Sequence, residues 1–127
     1  MNKVLRTLIA PLLAISAVAT VPQAADASTH RSSRHHGCEQ WRQLANEVGI
    51  DNATFNRFSP IMWRESRCNP GAVNYRSGDY GLMQIHCAGG ANWCARIGVS
   101  RSEMLDPTTN LKAALFVLDH QGMSAWS

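Results

Sequence analysis

The 127-residue chain lacks a strong surplus of charge of either sign. Its 12 basic and 9 acidic residues fall to 10 and 8 without residues 1–27, which contain Lys3, Arg6 and Asp26, so the remainder has a net charge of about +2. Proteins that bind nucleic acids usually have a larger and more clustered basic surplus. We therefore expect no nucleic-acid partner.

The chain also lacks a second long apolar run. The first covers residues 8–21, follows the positive Lys3 and Arg6, and precedes Ala25-Asp26-Ala27, a small-x-small pattern that signal peptidases cleave. We predict a signal peptide over residues 1–27, cleaved after Ala27, and no stable membrane insertion afterwards, because the run is short for a membrane span. This predicts a secreted, cell-wall or periplasmic protein; a retained membrane anchor is the alternative.

No two of the four cysteines form a Cys-x-x-Cys pair, which argues against structural zinc. An even cysteine count in a small exported chain instead favours two disulfides. Of the three possible connectivities we favour Cys38–Cys68, which would join a first helix to the end of a second, and Cys87–Cys94, which would close a short loop. Nothing in the sequence calls for a metal ion or an organic cofactor.

Residues 28–37 (STHRSSRHHG) predict a flexible leader, because no apolar side chain follows Ser28. A metal-binding tract formed by His30, His35 and His36 is the alternative. The remaining residues 38–127 suffice for one domain with a single hydrophobic core. We find no internal repeat and expect a monomer.

The pattern over residues 38–127 predicts a mainly helical α+β domain. Apolar residues at helical spacing predict a helix over 38–48, and Ser59-Pro60 predicts the start of a second helix after a helical turn at 51–58. Asn69-Pro70-Gly71 is expected to end that helix. A β-hairpin or extended loop is predicted over 72–80, followed by a short buried helix or turn from Gly81.

Further short elements are predicted toward the end of the chain. We expect a short helix over 91–97, a capping box between Ser100 and Glu103, and a long helix from Asp106-Pro107 to Gln121-Gly122. The segment 124–126 is expected to pack back on the domain.

Two carboxylates lie in contrasting surroundings. Glu65 is placed near the end of a helix after the apolar run 61–63, where the helix dipole disfavours a negative charge, and Asp79 follows Ser77-Gly78. Such a pair suits acid/base chemistry on a sugar bond. Alternatively, Glu65 pairs with Arg64 or Arg67, and Asp79 is a turn aspartate that binds its own backbone.

Three separated motifs follow one another along residues 40–127. They are Glu65-Ser66-x-x-Asn69-Pro70-x-Ala72, Asp79-Tyr80-Gly81-Leu82-Met83-Gln84-Ile85, and Asp106-Pro107-x-x-Asn110-Leu111 before an apolar helix. In this combination they resemble the lysozyme-like family of soluble lytic transglycosylase (SLT) catalytic domains. The resemblance implies a lysozyme-like fold with the hairpin or extended loop beside an active-site cleft.

The resemblance also implies cleavage of the β-1,4 bond between N-acetylmuramic acid and N-acetylglucosamine in peptidoglycan. Glu65 stands at the position of the family's catalytic acid/base, and Ser66 would hold the helix end. The expected substrate contacts are Ser66, Tyr80, Gly81, Met83 and Gln84, with Gly81 letting the backbone approach the sugar. Plain core packing is the alternative for Met83, and a sugar-stacking or a core role for Trp93.

The role of Asp79 stays open at this stage. In animal-type lysozymes a similar run contains the second catalytic carboxylate, whereas in many transglycosylases the substrate's own N-acetyl group is thought to take that role. A muramidase that uses Asp79 is therefore an alternative to the transglycosylase, and a non-catalytic wall-binding module is a third.

We expect His86 and His120 to be structural. Tyr75 and Tyr80 are the only tyrosines, so the later tyrosine that faces the sugar in many members is missing and that end of the cleft is expected to be open or completed by another chain.

Overall fold

The computed structural model describes residues 36–127, so the predicted signal peptide and most of the predicted leader lie outside the described residues. The described part is mainly helical with one small sheet, as predicted. Its α-helices are α1 (Arg42–Glu47), α2 (Asn52–Ser66), α3 (Trp93–Ile97) and α4 (Pro107–Gln121), and its strands are β1 (Val73–Asn74), β2 (Asp79–Tyr80) and β3 (Ile85–His86). Short 3-10 helices occupy Glu39–Trp41, Gly89–Ala91, Glu103–Leu105 and Met123–Trp126. Among the described helices, none has the length and apolarity that a membrane crossing requires.

Helix α2 begins at Asn52, so the predicted start at Ser59-Pro60 is wrong. Asp51 caps the helix, because its Oδ1 accepts a hydrogen bond from the Thr54 N–H at 2.7 Å. Pro60 lies inside the helix and removes one backbone donor without ending it. The turn and the helix predicted on either side of Pro60 are thus one element that leads to Glu65.

The three strands form an antiparallel sheet in the order β1-β2-β3. Val73 lies opposite Tyr80, and Asp79 lies opposite His86. The predicted hairpin is therefore present. Of the helix or turn predicted from Gly81, the structure has the turn, which leads into β3. This third strand places His86 beside Asp79.

One buried polar side chain, Asn110 of α4, fixes the turn over residues 81–84. Its Oδ1 accepts a hydrogen bond from Met83 N at 2.9 Å, and its Nδ2 donates to Tyr80 O at 2.8 Å and to Met104 O at 3.0 Å. The side chains of Leu82 and Met83, which belong to this turn, are fully buried. The sheet, the turn and α4 thus share one core.

Two disulfides join the pairs favoured from the sequence, Cys38–Cys68 and Cys87–Cys94. The first links the segment before α1 to the end of α2. Two further contacts strengthen this link: Cys38 N donates to the buried Ser59 Oγ at 2.7 Å, and Trp41 Nε1 donates to Cys68 O at 3.1 Å. The end of α2 is therefore held both covalently and by hydrogen bonds.

The capping box predicted after α3 is present. Ser100 N donates to Glu103 Oε2 at 2.7 Å, and Glu103 N donates to Ser100 Oγ at 3.1 Å. The hydrogen bond from the Ser100 N–H to the carboxylate holds the pKa of Glu103 below its ordinary value. Helix α3 itself begins at Trp93 because Asn92 caps it, accepting from Ala95 N at 3.0 Å.

Helix α4 starts and ends where the sequence predicts. Asp106 caps it by accepting from Thr109 N at 2.9 Å, and Gly122, with φ of 71°, ends it. The chain then returns to the domain through the 3-10 helix Met123–Trp126, called the C-terminal turn below. Trp126 is buried, and its Nε1 donates to Met83 O at 2.9 Å.

Candidate active site

Glu65 is the second-last residue of α2, and the end of that helix determines its place. Arg67 and Cys68 both have left-handed backbones, with φ of 55° and 63°, which stops the helix directly after Ser66. Ser66 Oγ donates to Met62 O at 3.0 Å, so its hydroxyl holds the last helical turn, as expected from the sequence. The Glu65 side chain is 28% exposed, which leaves it accessible to a ligand.

Arg64 is the direct partner of Glu65. Its Nε and Nη2 donate to the same carboxylate oxygen, Glu65 Oε1, at 3.0 and 2.9 Å. Nη2 also donates to the backbone carbonyl of Trp126 in the C-terminal turn. A single guanidinium thus joins the candidate catalytic carboxylate to the end of the described chain.

Asp79 on β2 uses both of its carboxylate oxygens. Oδ1 is 2.8 Å from Nδ1 of His86, the residue opposite it on β3, and Oδ2 accepts a hydrogen bond from Ser77 Oγ at 2.5 Å. Its side chain is still 25% exposed. The sequence alternative of an aspartate that binds its own backbone is wrong for this conformation, because both partners are side chains.

Gln84 closes the turn that leads into β3. Its φ of 49° is unusual for a residue with a side chain, and its Nε2 donates to Ala72 O at 3.1 Å and to Gly81 O at 3.0 Å. Both amide donors are therefore used within the protein. The amide oxygen Oε1 remains as the atom that can accept a hydrogen bond from a ligand.

Glu65, Asp79 and Gln84 line one cavity of about 510 Å³. A volume of this size lies in the range of known ligand sites. Helix α2 supplies Arg64 and Glu65 to its wall, and the sheet with its turn supplies Asp79, Gln84, Ile85 and His86. The remaining lining residues come from the 3-10 helix Gly89–Ala91, α3, α4, the C-terminal turn and the residue after it, namely Ala91, Trp93, Val117, Gln121, Ala125, Trp126 and Ser127. Across residues 36–127, no three His, Cys, Asp or Glu side chains are placed to hold a metal ion.

Four of the expected substrate contacts lie outside the cavity lining, namely Ser66, Tyr80, Gly81 and Met83. Met83 has no exposed surface, so core packing, the alternative, describes its side chain. A Cβ at Gly81 would lie 2.2 Å from Nδ2 of Asn110, so this glycine lets the turn approach α4 and not a sugar. Tyr80 is 8% exposed and Ser66 likewise, which leaves little of either side chain for a ligand.

Trp93 is mainly a core residue that also borders the cavity. It lines the cavity but is only 6% exposed, and its ring packs edge-on against Phe116 with a centroid distance of 6.0 Å. The guanidinium of Arg96 lies over the same ring at 4.4 Å. The ring is therefore mainly a core residue with one edge on the cavity wall.

Sequence reasoning missed two features of this site. The pairing of Asp79 with His86 depends on the third strand, whose two residues are too few to give an alternating pattern. The acceptor of Arg64 at Trp126 is a backbone carbonyl, which every residue has, so the residue type does not indicate this hydrogen bond. The predicted return of the tail was the available signal that this segment could reach the site.

Comparison with known proteins agrees with the motifs. A family model described as the transglycosylase SLT domain matches residues 41–124. The chain is also similar to Lysozyme E, Lysozyme D and Lysozyme B of Drosophila melanogaster, each 33% identical over 105 residues that cover 71% of this chain and 72% of the relative. No solved structure matches the chain. The family predicted from the three motifs is thereby confirmed, and the chain belongs to the transglycosylase SLT domain family.

Proposed function

We propose that this protein is a lytic transglycosylase that cleaves the β-1,4 bond between N-acetylmuramic acid and N-acetylglucosamine in peptidoglycan. Membership of the SLT family and the likeness to lysozymes support a peptidoglycan-cleaving, lysozyme-like glycosidase. The observation that carries the proposal is the position of Glu65, a partly exposed carboxyl on the wall of a cavity that Asp79 and Gln84 also line. The glycan strand is the proposed partner, and the enzyme acts as a monomer without a cofactor.

In the proposed reaction, Glu65 acts first as acid and then as base. Its carboxyl proton moves to the glycosidic oxygen as the bond between that oxygen and C1 of the muramic acid breaks, and the N-acetylglucosamine side leaves as an alcohol. The carboxylate then accepts the proton of the 6-hydroxyl of the same muramic acid, whose oxygen bonds to C1. The product is a 1,6-anhydro sugar, and no water is consumed.

Gln84 is the proposed substrate contact. Its amide donors are fixed by Ala72 O and Gly81 O, which orients the side chain before any ligand arrives. The amide oxygen can then accept a hydrogen bond from the N–H of a sugar N-acetyl group. Because the orienting bonds come from the backbone, they cost the ligand no ordering of this side chain.

A muramidase that uses Asp79 is the second candidate. In this reaction a water molecule replaces the 6-hydroxyl, and Asp79 stabilises the positive charge that develops on the sugar ring. The supporting observation is that Asp79 lines the same cavity and is oriented at both oxygens by Ser77 and His86. Orientation by two partners suits a carboxylate that must face a developing charge.

A third candidate of another class is a wall-binding module without activity. Such a module has no need for a carboxyl on the wall of its cavity, whereas Glu65 lies there with its side chain 28% exposed. We therefore favour an enzyme, and the following experiment includes this candidate as an outcome.

The test is digestion of purified peptidoglycan by the wild type and Glu65→Gln, with the products identified by mass spectrometry. We expect 1,6-anhydro muropeptides from the wild type and a loss of at least about 10²-fold in turnover for Glu65→Gln, because the neutral amide cannot exchange the proton. Glu47→Gln is the matched control, since Glu47 ends α1 and is exposed outside this cavity. Binding to peptidoglycan without any product in the wild type would instead identify a wall-binding module.

The same digestion separates the two enzyme candidates. Products with a free reducing end identify a hydrolase, and Asp79→Asn should then reduce turnover strongly. For the transglycosylase we expect Asp79→Asn to retain a substantial part of the wild-type turnover, because the substrate's N-acetyl group stabilises the charge. Equal clearance by the wild type and Glu65→Gln would remove Glu65 from the mechanism.

The proposed site of action lies outside the reducing cytoplasm. The two disulfides of the described domain favour an oxidising compartment. We propose secretion or retention at the cell wall or in the periplasm after signal-peptide cleavage near Ala27. N-terminal sequencing of the mature protein tests this cleavage site.

A further inference from the structure

One network of hydrogen bonds connects Glu65 to the turn over residues 81–84 through the C-terminal turn. Met83 O accepts from Trp126 Nε1 at 2.9 Å, Trp126 O accepts from Arg64 Nη2, and Arg64 donates twice to Glu65 Oε1. Trp126 is also fixed by an edge-on contact with Phe58, at a centroid distance of 5.3 Å. Trp126 thus joins the turn over residues 81–84 to α2, and Arg64 connects Trp126 to Glu65.

From this geometry we infer that Arg64 is the positioning residue of the acid/base, a role that rests on the proposed function of Glu65. Both N–H groups that reach the carboxylate bind the same oxygen, Oε1, at 3.0 and 2.9 Å. Within residues 36–127, Oε2 receives no hydrogen bond from a side chain or the backbone. Arg64 therefore selects Oε2 as the oxygen that holds the working proton.

The planar guanidinium of Arg64, with several N–H donors, suits the hydrogen bonds to Glu65 and to the Trp126 carbonyl. Nε and Nη2 share one acceptor on Glu65 while Nη2 also reaches the Trp126 carbonyl, so one planar group satisfies two acceptors on different elements. A lysine ammonium at this position carries the charge but not the planar geometry. The inferred role is thus geometric, and charge alone does not replace it.

The position of the network explains why it can affect rate more than binding. Arg64 touches the carboxylate that transfers the proton, whereas the proposed sugar contact, Gln84, is fixed separately by Ala72 O and Gly81 O. Loss of the arginine should misplace Glu65 without disturbing Gln84. A small misplacement of a catalytic group can reduce a rate by up to about 10²-fold.

The test compares Arg64→Gln and Arg64→Lys with the matched control Arg57→Gln, an exposed arginine on the same helix. We expect kcat on a soluble glycan fragment to fall by about ten- to a hundredfold in Arg64→Gln, with KM within about threefold of the wild type. Arg64→Lys should recover only a small part of the lost kcat. Arg57→Gln should keep the kcat of the wild type. A kcat of Arg64→Gln within twofold of the wild type, or full recovery by lysine, would overturn the inferred role.

A second measurement judges the network without relying on activity. Hydrogen exchange followed by NMR should show faster exchange of the Trp126 indole N–H in Arg64→Gln than in Arg57→Gln, because the C-terminal turn loses its hydrogen bond to α2 and keeps only the packing against Phe58. Equal exchange in the two variants would refute the connection. If Glu65→Gln is fully active, the proposed function fails, while this exchange difference still decides whether Arg64 holds the turn.

Discussion

At the scale of single residues, Asn110 makes the hydrogen bonds that hold the turn over residues 81–84 in place. It is fully buried, and its side-chain amide satisfies three backbone groups that have been removed from water. Each such group left without a partner costs about 1–3 kcal/mol. The turn that presents Gln84 to the cavity therefore depends on a residue that does not line the cavity.

We predict that Asn110→Leu lowers the free energy of unfolding by about 3–5 kcal/mol, because Met83 N, Tyr80 O and Met104 O lose their partners together. Chemical denaturation monitored by circular dichroism measures the loss. Asn46 is exposed, so Asn46→Leu serves as the control and should change the free energy of unfolding by less than about 0.5 kcal/mol. A loss below about 1 kcal/mol in Asn110→Leu would show that these hydrogen bonds contribute little.

At the scale of elements, α2 shows how local signals compete. The sequence predicts a helix start at Ser59-Pro60, but Asp51 caps the helix by accepting from Thr54 N, and Ser59 Oγ accepts instead from Cys38 N. Proline inside a helix removes a donor, but the cap at Asp51 and the packing of Phe55, Phe58 and Met62 sustain the helix through it. The cap at Asp51 therefore stabilises a helix that also contains an internal proline.

We predict that Asp51→Ala lowers Tm at neutral pH and that the difference from the wild type shrinks in acid. The hydrogen bond from the Thr54 N–H holds the pKa of Asp51 below its ordinary value. A carboxyl with a lowered pKa stabilises the fold fully above its unfolded pKa, and this contribution disappears as pH falls below about 4.

Thermal melts at pH 7 and pH 3 check this prediction. Asp119→Ala is the control, because Asp119 is an exposed aspartate inside α4 and caps no helix. A Tm difference between Asp51→Ala and the wild type that is as large at pH 3 as at pH 7 would contradict the ionic origin of the cap.

Most elements of the fold could be predicted from local residue patterns, and the exceptions have physical causes. The capping box at Ser100, the cap at Asp106 and the end at Gly122 are decided by neighbours within a few residues, so the sequence is sufficient. Strand β3 has only two residues, and its pairing with β2 is a long-range contact that a local pattern cannot encode.

The candidate site was predictable only in part for a similar reason. Glu65, Asp79 and Gln84 lie in sequence motifs and do line one cavity. The placement of Gly81 and Met83 in the core depends on how the turn packs against Asn110, and the bond from Arg64 to the Trp126 carbonyl depends on the return of the chain. Tertiary packing determines both of these features.

At the scale of the whole molecule, the two disulfides differ in how much of the chain they constrain. Cys38–Cys68 spans 30 residues and encloses α1 and α2, whereas Cys87–Cys94 spans 7 residues and closes one loop. In the chain-entropy model the longer loop contributes about 3.6 kcal/mol and the shorter one about 2.4 kcal/mol. The first bridge is therefore the larger constraint on folding.

We predict that replacing Cys38 and Cys68 together by alanine lowers the free energy of unfolding by about 1 kcal/mol more than the matched replacement of Cys87 and Cys94. Denaturation of both double variants against the wild type measures this difference. An equal or larger loss in the Cys87 and Cys94 variant would show that local strain or packing, and not the length of the closed loop, decides the contribution.

The disulfide after α2 also makes the order of the candidate site depend on the redox state of its surroundings. Cys68 lies three residues after Glu65, so the bridge to Cys38 fixes the segment immediately behind the candidate acid/base. In a reducing compartment this bridge does not form, and Glu65 then relies on noncovalent contacts alone. The segment that follows the candidate acid/base therefore reaches its full order only where the surroundings oxidise both cysteines.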